Sequence, residues 1–302
     1  MSLETDLILD RRRLKRRLLL WRVLAFAAVL IAVVVSAQPW RGVGRHVARI
    51  SVSGIITDDR RLTDRIDALG RDRSVPAVIV AIDSPGGSVG GGEALHAALT
   101  RLAARKPVVA VMRGTAASAG YMAALPAHRI FARDSTLTGS IGVILQTGEV
   151  SGLLDKLGIH ADAITSGPLK DQPSFTRPLT PQGHDYLQGL VGDLYAQFVA
   201  MVAAGRHMDP ARVRELADGR AYTGRQAIGL GLIDEIGGEP EARAWLAREK
   251  QVPEALPIQD ERMRGLVERT VTSLLPPGLV SLLAPLASGI VTPAAWAIWQ
   301  AP

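Results

Sequence analysis

Ser118 stands among small residues in Gly114-Thr115-Ala116-Ala117-Ser118-Ala119-Gly120-Tyr121, directly after the apolar run Val108–Met112. A strand that enters such a turn and leaves it as a helix lifts a serine out of the sheet, where a carbonyl carbon can reach it. Small neighbours let a peptide backbone approach, and the amide after the serine is free to donate a hydrogen bond. Those are the needs of a nucleophile in acyl transfer. A second candidate feature is Asp83-Ser84-Pro85-Gly86-Gly87-Ser88. Pro85 stiffens this turn, and the two glycines bare backbone amides beside a helix start, which suits an anion or an oxyanion. No Gly-Lys-Ser/Thr follows, so it matches a phosphate-binding loop poorly.

A serine nucleophile needs a base. Histidines stand at 46, 96, 128, 160, 184 and 207, none in a recognisable catalytic context. A Ser-His-Asp arrangement therefore stays open without support. Lysine is the alternative, and lysines occur only at 15, 106, 156, 170 and 250. The arginines cannot serve, because guanidinium does not lose its proton in proteins. Lys15 lies in a basic leader, Lys106 precedes a strand, and Lys156 and Lys250 fall in amphipathic helices. Lys170 differs: it sits in the Gly/Pro-bracketed loop Thr165-Ser166-Gly167-Pro168-Leu169-Lys170-Asp171-Gln172-Pro173. A lysine desolvated on such a loop favours its neutral amine, which can accept a proton. Asp171, if turned inward, would oppose that.

The elements around these residues alternate between strand and helix. Val47–Ile56 reads as a strand, and Leu62, Ile66 and Leu69 recur at helical spacing. Val75–Ile82 is an unbroken apolar run, as a strand buried on both faces requires. A helix over Val89–Arg105 and a strand over Val108–Met112 follow, then the serine turn and a helix to about Leu125. Short strands are expected at Ile130–Ala132, Ile141–Leu145 and Ala161–Thr165, with a helix at Leu153–Leu157. Beyond these the strand pattern stops. Thr180-Pro181 opens a long helix to about Ala204; Asp209-Pro210 and the capping box Thr223-Gly224-Arg225-Gln226 open further ones. The pattern predicts an α/β fold, with a largely parallel sheet layered by helices.

The chain has 302 residues, 47% hydrophobic and 21% charged, and no cysteine. That composition describes a folded protein and excludes a thiol nucleophile, disulfides and thiolate metal sites. Much of the formal net charge of +6 lies in Arg11-Arg12-Arg13, Lys15, Arg16 and Arg17, so it describes the N-terminus rather than a nucleic-acid surface. The stretch Leu18–Ala37 follows at once, with Arg22 before an unbroken apolar run Val23–Val35 that ends in Ser36-Ala37, and is long enough to cross a bilayer as a helix. The cations before it predict that everything after Ala37 is exported. Val35-Ser36-Ala37 also resembles a signal-peptide cleavage site, so removal of the leader is the competing expectation. The expected divisions are a cytoplasmic leader 1–17, an anchor 18–37, a linker 38–45, a catalytic domain 46–250 and an apolar, proline-broken tail 251–302.

Ser84-Pro85-Gly86-Gly87, Gly114–Tyr121, Thr138-Gly139-Ser140-Ile141-Gly142-Val143, Ser166–Asp171, Asp218–Gly224 and Ala227–Gly238 occur in this order. Together they resemble the bacterial signal peptide peptidase A (protease IV) family in its short, single-repeat form, over roughly Val47 to Lys250. The resemblance implies a fold like the Clp protease and crotonase group, with stacked ββα units, and a Ser/Lys dyad with Ser118 as nucleophile and Lys170 as base. It further implies an oxyanion hole from the backbone of Ala119 and of Gly87 or Gly86, with no metal or cofactor. The implied substrates are released signal peptides and other unfolded or membrane-proximal peptides. The implied setting is a bacterial inner membrane, crossed once, with the catalytic domain on the extracytoplasmic side. Relatives form closed rings in which neighbouring subunits share the dyad, so a homo-oligomeric ring is expected, and no nucleic-acid partner. Two departures are Asp83, where the family usually has Asn, and Leu169, where an aromatic is common. A crotonase-like acyl-CoA enzyme and an inactive membrane scaffold of the same fold are the competing readings.

Overall fold

The apolar runs of the first half become neighbouring strands because each is too short and too β-branched to prefer a helix and has no polar face to give water. In the computed structural model, which describes residues 19, 21–26 and 44–261, β1 (Val47–Ile56), β2 (Val78–Gly87) and β3 (Val108–Ala117) lie side by side and parallel. Ala48 pairs with Val78, which pairs with Val108. Strand β4 (Arg129–Ala132) and strand β5 (Leu137–Gly139) both extend from β3, each parallel to it. Strand β6 (Ala221–Thr223) closes that side antiparallel to β5, β7 (Glu235–Ile236) joins β4, and β8 (Ile258–Asp260) runs parallel to β1 at the other edge.

Both faces of the sheet are covered, as a parallel sheet requires. Helices α2 (Arg60–Arg71), α3 (Val89–Ala103) and α4 (Ala119–Ala124) pack Ile66, Leu69, Leu95, Leu99, Leu102 and Met122 against Val80, Ile82, Ala110 and Met112. The alternate residues Ile79, Val109, Val111 and Phe131 meet Ala242, Trp245 and Leu246 of α9 (Glu239–Lys250) on the opposite face. A short helix α1 covers residues 21–26, and its Trp21, Val23, Leu24 and Phe26 side chains are exposed. The rest of the stretch expected to span a membrane, and the tail from residue 262, lie outside the described residues.

The second half holds α5 (Ser151–Lys156), α6 (Pro181–Arg206), α7 (Pro210–Leu216) and α8 (Gly224–Gly229). Three of their starts follow the expected chemistry. Thr180 Oγ1 caps Gly183 N, Asp209 caps Ala211 N, and Thr223 with Gln226 forms the capping box. Among the described residues α6 alone is long and apolar enough to cross a membrane, but its C-terminal half belongs to the core through Phe198, Val199 and Val202. That end is locked by Arg206, which donates to Asp234 at 2.7 and 3.1 Å and to Gly231 O at 2.9 Å. Asp234 also accepts Ile130 N–H at 2.7 Å, so one carboxylate ties α6 to β4. Removing one partner leaves the other charge poorly solvated. Arg206→Ala is therefore expected to lose about 3 kcal/mol or more of stability, measured by urea unfolding.

Three expectations need correction. Residues 141–145 and 161–165 form no strand, and their Ile144 and Ile164 side chains are exposed. An apolar segment becomes a strand only where a neighbour's backbone is open. Here β6 occupies the side of β5 away from β3. The strand pattern also does not stop after residue 165: β6, β7 and β8 all follow. Strands of two or three residues are too short to carry a periodicity that could be read beforehand.

Candidate active site

Parallel strands end on one side of their sheet, so β2 and β3 deliver Gly86 and Ser118 to the same edge. An ideal Cβ on Gly86 would lie 2.9 Å from Ser118 Cβ and 3.2 Å from its Oγ, so the bare glycine backbone forms one wall of the serine. Ser118 has φ 54° and ψ −121°, a conformation that is costly for a residue with a side chain. It is held there by its own backbone. Ser118 N–H donates to Gly139 O at 2.9 Å, and Ser118 O accepts from Tyr121 and Met122 N–H at 2.9 and 3.0 Å. The side chain is half-buried, and helix α4 begins at the next residue. The Ala119 amide, first in that helix, has no intrahelical acceptor.

The Ser84-Pro85-Gly86-Gly87 segment, expected as a turn, is the end of β2 and is organised by Ser84, which is completely buried. Its Oγ donates to Gly54 O at 2.6 Å and accepts Gly86 N–H at 3.1 Å. That engages the Gly86 amide internally. Ser88 N–H donates to Ile56 O at 2.9 Å, on the β1 side. Gly87 admits no side chain, since its Cβ would lie 1.9 Å from Ile56 O. Gly86 is equally constrained, by φ +125° and by Ser118. Gly86→Ala is expected to cost roughly 1–3 kcal/mol of stability and to displace Ser118 enough to lower kcat by about 100-fold. Thermal unfolding and steady-state kinetics on one preparation read both effects.

Asp83, at the position where the resembled family usually has asparagine, accepts Thr115 N–H through Oδ1 at 3.1 Å. An asparagine carbonyl could make the same bond, so the substitution keeps the β2–β3 connection. Three contributors to the site had gone unassigned: Ser84, the Gly139 carbonyl and Tyr121. Only Ser84 left a signal in the sequence, as a hydroxyl two residues before a strained glycine.

Lys170 is exposed on a turn, with its N–H donating to Gly167 O at 3.2 Å. The loop after it is tied down. Asp171 pairs with Arg177, and Thr180 N–H donates to Gln172 Oε1 at 3.3 Å. The Arg177 hydrogen bond, helped by Ser174, holds the Asp171 carboxyl below the ordinary carboxylate range. Asp171 thus turns to Arg177. Among the described residues no hydrogen bond joins Ser118 Oγ to Lys170, nor any histidine to Ser118. His128 instead faces the backbone of Val108 through Nδ1, at 3.2 Å. No group of three His, Asp or Glu side chains suited to a metal occurs among the described residues.

The model of the family described as Peptidase family S49 matches residues 100–253, which include both Ser118 and Lys170. The chain belongs to peptidase family S49. A protein of Synechocystis sp. named as a protease is 42% identical over 67% of this chain and 74% of its own length. Protease 4 of Salmonella typhi is 36% identical over 73% of this chain, which spans only 37% of that longer protein. An Enterococcus faecium relative named as signal peptide peptidase SppA is 33% identical over 71% of this chain and 67% of its own length. These names agree with the resemblance read from the ordered motifs, and this S49 member is a serine peptidase. Among solved structures, the S97A mutant of the 1510-N membrane-bound stomatin-specific protease is 16% identical over 73% of this chain and 99% of that one, at a TM-score of 0.46.

Proposed function

We propose that Ser118 and Lys170 form the catalytic dyad, and that the oxyanion is held by the amides of Ala119 and Gly87. The observation that carries this is the strained Ser118, with its side chain against a bare glycine and an uncommitted helix amide immediately after it. Neutral Lys170 takes the Ser118 hydroxyl proton, and the oxygen attacks a peptide carbonyl carbon. The tetrahedral oxyanion accepts hydrogen bonds from the two amides. The Lys170 ammonium then protonates the departing amine, leaving an acyl-serine. Water attacks that ester with Lys170 again taking the proton, and the free acid leaves. Of the two glycines, Gly87 is preferred because the Gly86 amide is already used by Ser84.

A ring of copies completes the site in this reading. Lys170 is exposed within one chain, and the surrounding loops carry exposed Ile144, Leu153, Leu157, Ile164 and Phe175. A neighbour covering that surface would remove apolar area from water and desolvate the lysine, which favours its neutral form. The substrates are released signal peptides and other unfolded, membrane-proximal peptides. The apolar Leu18–Ala37 stretch behind a basic leader supports an anchor in a bacterial inner membrane, with catalysis on the extracytoplasmic side. The test is hydrolysis by the detergent-solubilised full chain of a synthetic signal peptide, against a polar peptide of equal length. Preference for the signal peptide supports the substrate class; equal rates or preference for the polar peptide sink it.

A further inference from the structure

We infer that Tyr121 is a positioning residue for the nucleophile: its buried hydroxyl anchors helix α4 and so holds Ser118 in its strained conformation. The inference rests on Ser118 being the nucleophile. A six-residue helix cannot hold itself against backbone strain at its first turn. Support from outside the helix comes from Ser118 N–H bonding Gly139 O and from Tyr121, the polar side chain that α4 sends into the core. The residue is completely buried, and its hydroxyl donates to Leu232 O at 2.8 Å. Its own N–H donates to Ser118 O at 2.9 Å, so one residue grips the nucleophile's carbonyl at one end and a distant segment at the other.

That distant acceptor is itself fixed. Leu232 N–H donates to Ala227 O at 2.9 Å, and on either side of Leu232 the chain is pinned by Arg206, through Gly231 O and the Asp234 carboxylate. Asp234 also accepts from Ile130 on β4. The Tyr121 anchor thus connects the serine turn to a segment secured on both α6 and the sheet. Burial pushes the phenol well above its ordinary range, so the hydroxyl remains a donor across working pH. Close packing completes the seat. A Cβ on Gly120 would lie 2.9 Å from Ser84 O, and one on Gly92 would lie 2.7 Å from Met122 Sδ. These close approaches restrict how far α4 can shift, and the hydroxyl bond adds a directional constraint.

The test compares full-chain wild type, Tyr121→Phe, Ser118→Ala and Ile66→Val. Ile66→Val trims a buried side chain on α2 and serves as the control for a general loss of stability. Tyr121→Phe keeps the ring and removes only the anchor. It is expected to lower kcat about tenfold or more with KM within about twofold, because the attacking atom is misplaced while binding is untouched. Hydrogen exchange at the 119–122 amides is expected to accelerate in Tyr121→Phe beyond any change in Ile66→Val. Unchanged kcat and exchange in Tyr121→Phe, with Ser118→Ala inactive, overturn the positioning role alone. If Ser118→Ala retains activity, the nucleophile assignment falls and the positioning role with it.

Discussion

Ser118→Ala is expected to abolish peptide hydrolysis, with kcat reduced at least about 10⁴-fold, while stability changes by less than about 1 kcal/mol. The two halves of this expectation have separate physical grounds. Chemistry is lost because alanine has no hydroxyl to attack a carbonyl carbon. Stability is kept because the bonds that hold this residue are made by its backbone, to Gly139, Tyr121 and Met122, and alanine keeps all of them. Alanine also suffers the same penalty at φ 54° as serine does. Active-site labelling with a fluorophosphonate, kinetics on an apolar fluorogenic peptide and thermal unfolding together check the prediction. Activity within tenfold of wild type would put the nucleophile elsewhere.

Lys170→Ala is expected to be equally inactive, and Lys170→Arg no better, since an arginine keeps its charge and cannot take a proton. Because Lys170 is exposed within one chain, its removal should leave the unfolding temperature of the protomer unchanged. A silent enzyme of normal stability is then the signature of lost chemistry. Mixing the two inactive variants, with dissociation and reassembly, separates a shared dyad from a private one. If each site takes Ser118 from one copy and Lys170 from the next, an equal mixture regains about a quarter of wild-type activity, the chance that both partners at a site are intact. If both residues come from one chain, the mixture stays inactive. Activity in Lys170→Ala alone would remove the lysine from the mechanism.

Ser118 stands out as a candidate nucleophile in the sequence alone because that reading depends on neighbouring residues. An apolar run followed by small residues around a serine describes a strand, a turn and a candidate nucleophile in consecutive positions. The helix starts at Thr180, Asp209 and Thr223 were equally legible, since a cap is a local hydrogen bond between residues three apart or fewer. The segments 141–145 and 161–165 were misread for the complementary reason. Their side chains suit a strand, yet a strand exists only where another backbone accepts its hydrogen bonds, and composition says nothing about that partner.

The sequence by itself determined the α/β class and its ordered motifs, and it singled out Ser118 as the candidate nucleophile, all from local preference and hydrophobic pattern. Only the tertiary structure set the Ser84 hydroxyl against Gly54 O on β1, where it also accepts the Gly86 amide. Only the tertiary structure brought Gly86 against Ser118, through the register of β2 and β3. It likewise joined Tyr121 to Leu232, residues whose contact depends on α6 and β4 meeting at Asp234. Such contacts follow from how elements pack. Packing depends on the sum of many weak burials over the whole chain rather than on any stretch that can be read alone.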